Sequence, residues 1–220
     1  MKININQYKA VIFDMDGLLI DSESLSLKAW FKTADKLSFT FTEEIFLSYL
    51  GYKVSDVKQK FTEVFKDEIS FDEAWNVKEA IRKEMIEAEG MPLMIGAEEI
   101  ISFFDNKEIP KIIATSSSRE RALNSLEFSG LLSKFPDFVA GDEVVNGKPA
   151  PDIYLKAAAR LNVNPQDCIV FEDAEAGVQA GSAAKMDVVL IPGLKSPTKE
   201  IKSLAKYVFE DLKSFLELCE

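Results

Sequence analysis

Residues 8–17 read Tyr8-Lys9-Ala10-Val11-Ile12-Phe13-Asp14-Met15-Asp16-Gly17, a short apolar run that ends in two carboxylates and a glycine. The apolar part predicts a buried strand, with Asp14 and Asp16 at the point where that strand stops. In open α/β sheets, ligands bind outside the carboxyl ends of the strands, and residues two apart on a strand share a face. Clustered carboxylates repel each other unless a cation or a shared proton relieves them. We therefore interpret the motif as a candidate Mg²⁺ site with acid–base chemistry. The alternative is a polar strand-to-loop turn.

Composition narrows the class of protein. The chain has 220 residues, 47% of them hydrophobic, which is enough for one large domain or for a core with a smaller inserted domain. The net charge of -11 argues against nucleic acid and anionic membranes as main partners, although local cations and a metal can still hold a phosphorylated metabolite. There is no histidine, so acid–base work must fall to Asp, Glu, Lys or Tyr.

The sequence shows no targeting or membrane-spanning segment. The amino terminus has no apolar signal-peptide region, and no apolar run approaches the length of a transmembrane helix. Cys168 and Cys219 lie far apart and outside any metal-ligand spacing. We expect a cytoplasmic protein with no membrane or nucleic-acid partner, and a monomer for a chain of this size.

Two kinds of pattern divide the chain. Residues 17–91 show helical periodicity and no convincing strand, whereas from Pro92 onward strands alternate with helices. Alternating strands and helices imply βαβ units and a parallel sheet. We predict an α/β protein whose Rossmann-like parallel-sheet core comprises residues 1–16 and 92–220, with a small helical-bundle cap inserted at 17–91. After the first strand, the predicted strands are 109–114, 138–140, 168–171, 188–191 and 207–209.

Polar groups follow four of these core segments, and each group has an ordinary structural explanation. Thr115 to Ser118 could cap the next helix, Lys148 could be a solvated turn lysine, and Glu172-Asp173 could be acids at a helix N-terminus. Together with the first motif, however, they are all expected at one edge of a parallel sheet. Their joint occurrence predicts a site there.

The combination suits phosphoryl transfer, which needs charge neutralisation on the phosphate and an in-line nucleophile. Asp14 could attack phosphorus to form an aspartyl-phosphate, and Asp16 could protonate the leaving group and then activate water. Ser116 and backbone N–H groups at a helix start would hold phosphate oxygens, while Lys148 would add a positive charge.

The same residues offer oxygen ligands for a metal ion. Mg²⁺ would be held by the Asp14 carboxylate, the Asp16 backbone carbonyl and Asp173, which together form an oxygen-rich site. Glu172 would bind or orient the metal or its water. An EF-hand is a poor fit, because the acidic pattern stops at Asp16 and Leu25 stands at the twelfth position.

Four stretches together resemble the haloacid dehalogenase superfamily, in the subgroup that includes β-phosphoglucomutase and small sugar-phosphate phosphatases. They are Phe13–Gly17, Ala114–Arg119, Gly147–Asp152 and Phe171–Gly177. The resemblance covers most of the core, and the small helical cap of that family is inserted where the helical block lies here. It implies a parallel-sheet core, a Mg²⁺ cofactor and phosphate chemistry.

By this resemblance, Asp14 is the nucleophile and Asp16 the general acid/base, and the second aspartate argues for phosphate chemistry over dehalogenation. Ser116 takes the phosphate-binding hydroxyl role, with Thr115 as the alternative, and Lys148 stabilises charge. Glu172 and Asp173 complete the Mg²⁺ site.

Two further residues are candidates for substrate binding. Ser117 lies beside Ser116, and Lys78 resembles a cap lysine that meets substrate in relatives, with a solvated helix lysine as the alternative. Ser26 stands where β-phosphoglucomutases usually have a histidine, which favours the phosphatase members. Relatives usually have glycine where Lys185 stands, so we expect that helix end to differ.

The expected function is a Mg²⁺-dependent phosphatase that hydrolyses a small phosphorylated metabolite, plausibly a sugar phosphate, through an aspartyl-phosphate. A β-phosphoglucomutase-type mutase is the alternative, since the two share the first half-reaction and differ in the acceptor. A non-catalytic protein that binds a phosphorylated ligand is the third reading. Glycines at both crossings into the cap suit a hinge that would close over the substrate.

Overall fold

A computed structural model describes residues 2–50, 52 and 54–219. The chain separates into two compact units, one formed by Met1–Asp21 with Leu93–Glu220 and the other by Ser22–Pro92. The predicted boundaries, 16/17 and 91/92, differ from these by a few residues. Residues 17–21 group with the first unit because the Gly17 N–H donates to the Ile20 carbonyl at 2.9 Å and Ile20 forms a bridge with Leu93.

The described residues of the first unit form a parallel sheet of six strands. In chain order these are β1 (Ala10–Phe13), β2 (Lys111–Ala114), β3 (Phe138–Val139), β4 (Cys168–Glu172), β5 (Asp187–Leu190) and β6 (Tyr207–Val208). Their spatial order is β3-β2-β1-β4-β5-β6, so β1 lies between β2 and β4. The order of the chain reverses at β1, which is where open α/β sheets place their ligand crevice.

Among its described residues, the second unit contains helices and no strand. Its helices are α1 (Ser22–Leu37), α2 (Glu43–Leu47), α3 (Val54–Phe65) and α4 (Phe71–Glu89). They pack around the buried Trp30 on α1, whose ring stacks on Phe41 with the centroids 4.9 Å apart and on Phe61 at 5.7 Å. Aromatic packing of this kind gives a small unit a dense core of its own.

Helices cover both faces of the sheet. In the described chain they are α5 (Ala97–Asn106), α6 (Arg119–Phe128), α7 (Asp152–Arg160), α8 (Glu175–Ala183), α9 (Lys199–Leu204) and α10 (Leu212–Leu216). On β1, Ile12 belongs to an apolar cluster with residues of α7 and α8. The next residue, Phe13, meets Phe104 of α5 at 5.8 Å between ring centroids, as expected for a strand whose successive side chains alternate. Burial on both faces is typical of parallel sheets.

The predicted α/β class, with a parallel sheet and an inserted helical block, is confirmed. Each predicted strand is present, and its ends differ from the prediction by at most two residues. None of the helices in the described ranges combines the length and apolar character needed to cross a bilayer.

Lys185 follows α8 in the left-handed conformation, with φ at +60°. Its N–H donates to the Ser182 carbonyl at 2.9 Å, and the Met186 N–H donates to the Gly181 carbonyl at 3.1 Å. This pair of bonds is the Schellman pattern that usually has glycine at the left-handed position. The expectation of a different helix end was therefore wrong, since the two bonds outweigh the strain of a non-glycine residue.

We expect Lys185→Gly to raise the free energy of unfolding by about 1 kcal/mol, because glycine adopts positive φ without the clash that a Cβ introduces. Thermal unfolding of the full chain measures the effect. Lys185→Ala is the matched control: it removes the charge but keeps the Cβ, so it should give no comparable gain. A gain of the same size in both variants would contradict the explanation.

Candidate active site

Asp14 lies directly after β1 and is only 7% exposed. Its N–H donates to the Phe171 carbonyl of β4 at 3.0 Å, so the backbone is held in register where the strand ends. Its Oδ1 accepts a hydrogen bond from Lys148 Nζ at 2.5 Å. The first predicted carboxylate is therefore buried, fixed by its backbone and paired with a cation that lies far away in sequence.

Lys148 joins the ends of three neighbouring strands. Its Nζ donates to Asp14 Oδ1 after β1, to the Ala114 carbonyl of β2 at 3.2 Å, and to Glu172 Oε1 of β4 at 2.5 Å. Only 6% of the side chain is exposed. The lysine is thus a buried cation with two carboxylate partners, and the solvated turn lysine is not what the structure contains.

The charges of this cluster perturb one another. Burial raises the pKa of Asp14 to about 7; Glu172 and Asp16 act in the same direction, while the Lys148 ammonium opposes them. For Lys148, burial alone would lower the pKa, but the charges of Asp14 and Glu172 outweigh it and hold that pKa well above its usual value. Lys148 therefore remains protonated, and the Asp14 proton affinity is set by a balance of large opposing effects.

Glu172 is completely buried and its two carboxylate oxygens have different partners. Oε2 accepts the backbone N–H groups of Asp173 at 3.0 Å and Ala174 at 3.1 Å. Oε1 accepts from Lys148 and from the phenol of Tyr154. A Cβ at Gly177 of α8 would come within 1.7 Å of Oε1, so the carboxylate occupies the space that a side chain there would need.

Asp173 points to a different neighbour. Its Oδ2 lies so close to Gly17 that a Cβ on that glycine would come within 2.3 Å. Gly17 also has φ at +85°, a conformation that favours glycine. The glycine of the first motif is therefore needed for two reasons, and its small size brings Asp173 against the loop that carries Asp14 and Asp16.

The hydroxyl groups in the loop after β2 make different hydrogen bonds. Thr115 is buried and its Oγ1 accepts the Ser117 N–H at 3.1 Å, whereas Ser116 is exposed. Ser117 Oγ donates to Asp16 Oδ2 at 2.8 Å. Ser118 caps α6 by accepting the Arg121 N–H, as the helix-cap reading anticipated. The structure therefore brings the first motif and this loop together through Ser117 and Asp16.

The metal-ligand prediction can be compared with the donor atoms present. Among the described residues, no group of three or more Asp, Glu, Cys or His side chains is arranged to hold a metal ion by side chains alone. The predicted set includes the backbone carbonyl of Asp16, and the side chains of Asp14 and Asp173 border the same short loop. These hard oxygen donors fit Mg²⁺ in chemical type.

The two cap candidates belong to the helical unit. Lys78 on α4 is 4% exposed; its Nζ lies 4.5 Å from the ring centroid of Trp75 and 2.6 Å from Glu79 Oε1. The alternative of a solvated lysine is therefore wrong. Ser26 lies on α1 and is partly buried. The substrate-binding role of Lys78 stays a prediction.

Tyr154 is the side chain that sequence reasoning missed. It lies on the first turn of α7, shortly after Lys148, and is completely buried. Burial and the charge of Glu172 raise its pKa well above the usual value, so the phenol is a hydrogen-bond donor. A tyrosine in a helical apolar pattern predicts only burial; its nearness in sequence to Lys148 was the available signal.

Comparison with known proteins gives a consistent result. Residues 11–191 match the family model described as haloacid dehalogenase-like hydrolase. A phosphorylated carbohydrates phosphatase of Thermotoga maritima is 34% identical, over 81% of this chain and 82% of its own length. A fructose-1-phosphate phosphatase of Escherichia coli is 31% identical, over 83% of this chain and 96% of its own.

A solved structure extends the likeness to the fold. The crystal structure of β-phosphoglucomutase from Clostridium difficile superposes with a TM-score of 0.66 at 28% identity, over 93% of this chain and 92% of that one. The resemblance inferred from four short motifs is confirmed by a match that spans most of the chain.

Asp14→Asn should stabilise the metal-free protein at alkaline pH. A carboxyl group whose pKa is raised in the folded state adds stability below its unfolded pKa near 4 and loses that contribution as pH rises through about 7. Asparagine has no such dependence. We expect Tm to rise by roughly 3–8 °C at pH 8.5 in EDTA and the difference to shrink at pH 5. A variant that is less stable at pH 8.5 would contradict the shift.

Gly177→Ala should destabilise the first unit by roughly 2–4 kcal/mol, because the new methyl group would have to displace a fully buried carboxylate with several hydrogen bonds. Gly147→Ala is the control, since a Cβ there meets nothing within 4 Å. Thermal unfolding compares the two. Equal and small effects would show that Glu172 can move aside freely.

Proposed function

This chain belongs to the haloacid dehalogenase-like hydrolase family, and we propose that it hydrolyses the phosphate monoester of a small phosphorylated carbohydrate. The observation that carries the proposal is the buried ion-pair chain Asp14–Lys148–Glu172 at the common edge of β1, β2 and β4. The relatives named as phosphatases of phosphorylated carbohydrates and of fructose 1-phosphate support the substrate class.

Asp14 is the proposed nucleophile. Its Oδ1 is bonded to Lys148, so we assign the attack on phosphorus to Oδ2. A bond forms between this oxygen and phosphorus as the bond from phosphorus to the ester oxygen breaks, leaving an aspartyl-phosphate. The Lys148 ammonium holds Asp14 in place and balances negative charge that gathers on the transferring phosphoryl group.

Asp16 moves the proton in both half-reactions. In the first, its carboxyl group gives a proton to the departing ester oxygen; in the second, its carboxylate takes a proton from the water that attacks phosphorus. That attack breaks the acyl phosphate bond and returns Asp14 as a carboxylate with inorganic phosphate as product. Ser117, which donates to Asp16 Oδ2, holds this group between the two steps.

The phosphate oxygens are proposed to bind in the loop after β2. The exposed Ser116 hydroxyl is the proposed side-chain donor, together with backbone N–H groups of the loop that leads into α6. The N–H groups of Arg119 and Arg121 at the start of α6 already donate to Asp142 and Ser118. Thr115 accepts the Ser117 N–H, which leaves its own hydroxyl proton as a further donor. In the helical unit, Lys78 is proposed as a contact for the carbohydrate.

Mg²⁺ is the proposed cofactor, with Asp14, the Asp16 carbonyl and Asp173 as ligands. Glu172 would orient the metal or its water. When bound, Mg²⁺ neutralises charge on the phosphate and aligns it with the nucleophile. The residues that would hold it are oxygen donors on one short loop and the end of one strand, which is the donor chemistry this ion prefers.

A β-phosphoglucomutase-type mutase is the second candidate, favoured by the likeness to the Clostridium difficile enzyme. It would share the aspartyl-phosphate and pass the phosphoryl group to a second sugar hydroxyl instead of water. The absence of any histidine, with Ser26 at the position where such mutases usually have one, favours water as the acceptor.

The test is a panel of phosphorylated carbohydrates, including fructose 1-phosphate, assayed with and without Mg²⁺. Phosphate release and formation of an isomeric sugar phosphate are measured in the same reactions. We expect Mg²⁺-dependent phosphate release, and a fall of at least about 10³-fold in kcat for Asp14→Asn. Asp187→Asn is the control, because that residue begins β5 at the opposite end of the strands and pairs with Lys206.

Four outcomes separate the alternatives. Phosphate release without isomer formation supports the phosphatase, and bisphosphate-primed conversion of β-glucose 1-phosphate to the 6-phosphate would replace it with the mutase. Hydrolysis that survives in Asp14→Asn would overturn the nucleophile. No turnover on any substrate, with Mg²⁺ binding intact, would point to a protein that only binds a phosphorylated ligand.

A further inference from the structure

Tyr154 contacts both partners of the central ion pair, and the reaction steps above do not use it. Its hydroxyl donates to Glu172 Oε1. Lys148 Nζ lies 4.9 Å from the centroid of its ring, which is within the range of a cation–π contact. One side chain therefore bonds the carboxylate through its hydroxyl and meets the ammonium through its ring.

The surroundings make this contact restrictive. Glu172 Oε2 is fixed by two backbone N–H groups, and the absent side chain of Gly177 leaves room for the carboxylate on the side of α8. Oε1 has the two donors Lys148 and Tyr154. Without the phenol, Oε1 would have Lys148 as its one remaining donor among the described contacts, so the carboxylate could rotate and take the ammonium with it.

Such a rotation would matter because Lys148 also holds Asp14. The Nζ atom is 2.5 Å from each of the two carboxylate oxygens, so a displacement toward one lengthens its bond to the other. The position of the proposed nucleophile, Asp14, thus depends on how firmly Tyr154 and the backbone N–H groups hold Glu172.

We propose that Tyr154 is a positioning residue: its phenol fixes Glu172 so that the Lys148 ammonium stays on Asp14. This inference rests on the proposed function for its effect on catalysis. Its effect on Lys148 does not require any turnover. The two effects can therefore be measured apart.

The test compares Tyr154→Phe with Tyr8→Phe in the full chain. The control is closely matched, since Tyr8 is buried and its hydroxyl donates to Asp187 Oδ2 at 2.7 Å, at the other end of the strands. Both changes remove one phenol oxygen bonded to a carboxylate and keep the ring. Thermal unfolding checks that each variant is folded.

Two readouts decide the role. The first is the rate of reductive methylation of Lys148, followed by peptide mass spectrometry without Mg²⁺ or substrate; we expect it to rise at least threefold in Tyr154→Phe and to stay unchanged in Tyr8→Phe. The second is kinetic: kcat should fall roughly 5- to 30-fold with KM within twofold, because the phosphate-binding loop is untouched.

A Lys148 methylation rate equal to that of the wild type would overturn the proposal and leave Tyr154 as a packing residue. A faster rate in both tyrosine variants would also overturn it, because the effect would then reflect a looser fold. If the wild type hydrolysed nothing on the panel, the proposed function would fail, and the methylation comparison would still decide whether Tyr154 positions Lys148.

Discussion

The site depends on the burial of one ammonium group between two carboxylates. Removing Asp14 and Glu172 from water is costly, and the cost is offset only if a cation with good geometry accompanies them. Lys148 supplies that cation, and the Ala114 carbonyl takes another of its hydrogen bonds. Because Asp14, Ala114 and Glu172 lie at the ends of three different strands, the ion pair can form only when the centre of the sheet is complete. Fold and site are therefore coupled at this point.

The strand order makes this convergence possible. β1 lies between β2 and β4, so the residue that follows each strand reaches the same edge even though the segments are far apart in sequence. A second link, from Ser117 to Asp16, ties the loops after β1 and β2. Parallel pairing of the strands thus aligns their ends, so residues that are distant in sequence lie side by side.

The sequence predicted the parts of this arrangement that local patterns determine. Apolar runs gave the strands, and polar groups at their ends gave Asp14, Lys148 and Glu172 as candidates for one edge. The sequence did not predict the side-chain partners across the sheet. Ser117, expected to bind substrate, donates to Asp16, and the contact of Tyr154 with Glu172 had no signal apart from a buried pattern and nearness to Lys148 in sequence. Such contacts depend on side-chain directions set by packing. Lys185 shows another limit, since two local hydrogen bonds at the end of α8 accompany a non-glycine residue at positive φ.

The adjacent acids Glu172 and Asp173 have different surroundings at this edge of the sheet. Glu172 is the last residue of β4, is completely buried and faces Gly177 and Tyr154, whereas Asp173 is partly exposed and lies against Gly17. Glu172 is thus engaged in holding Lys148, and Asp173 is left at the loop with Asp14 and Asp16. Burial raises the pKa of Asp14 to about 7, and the charges of Glu172 and Asp16 act in the same direction. A divalent cation on the Asp173 side would favour the ionised form of Asp14, which is the form that the proposed attack on phosphorus requires. The proposed metal site and the proposed activation of Asp14 would therefore both depend on the charges at this edge of the sheet.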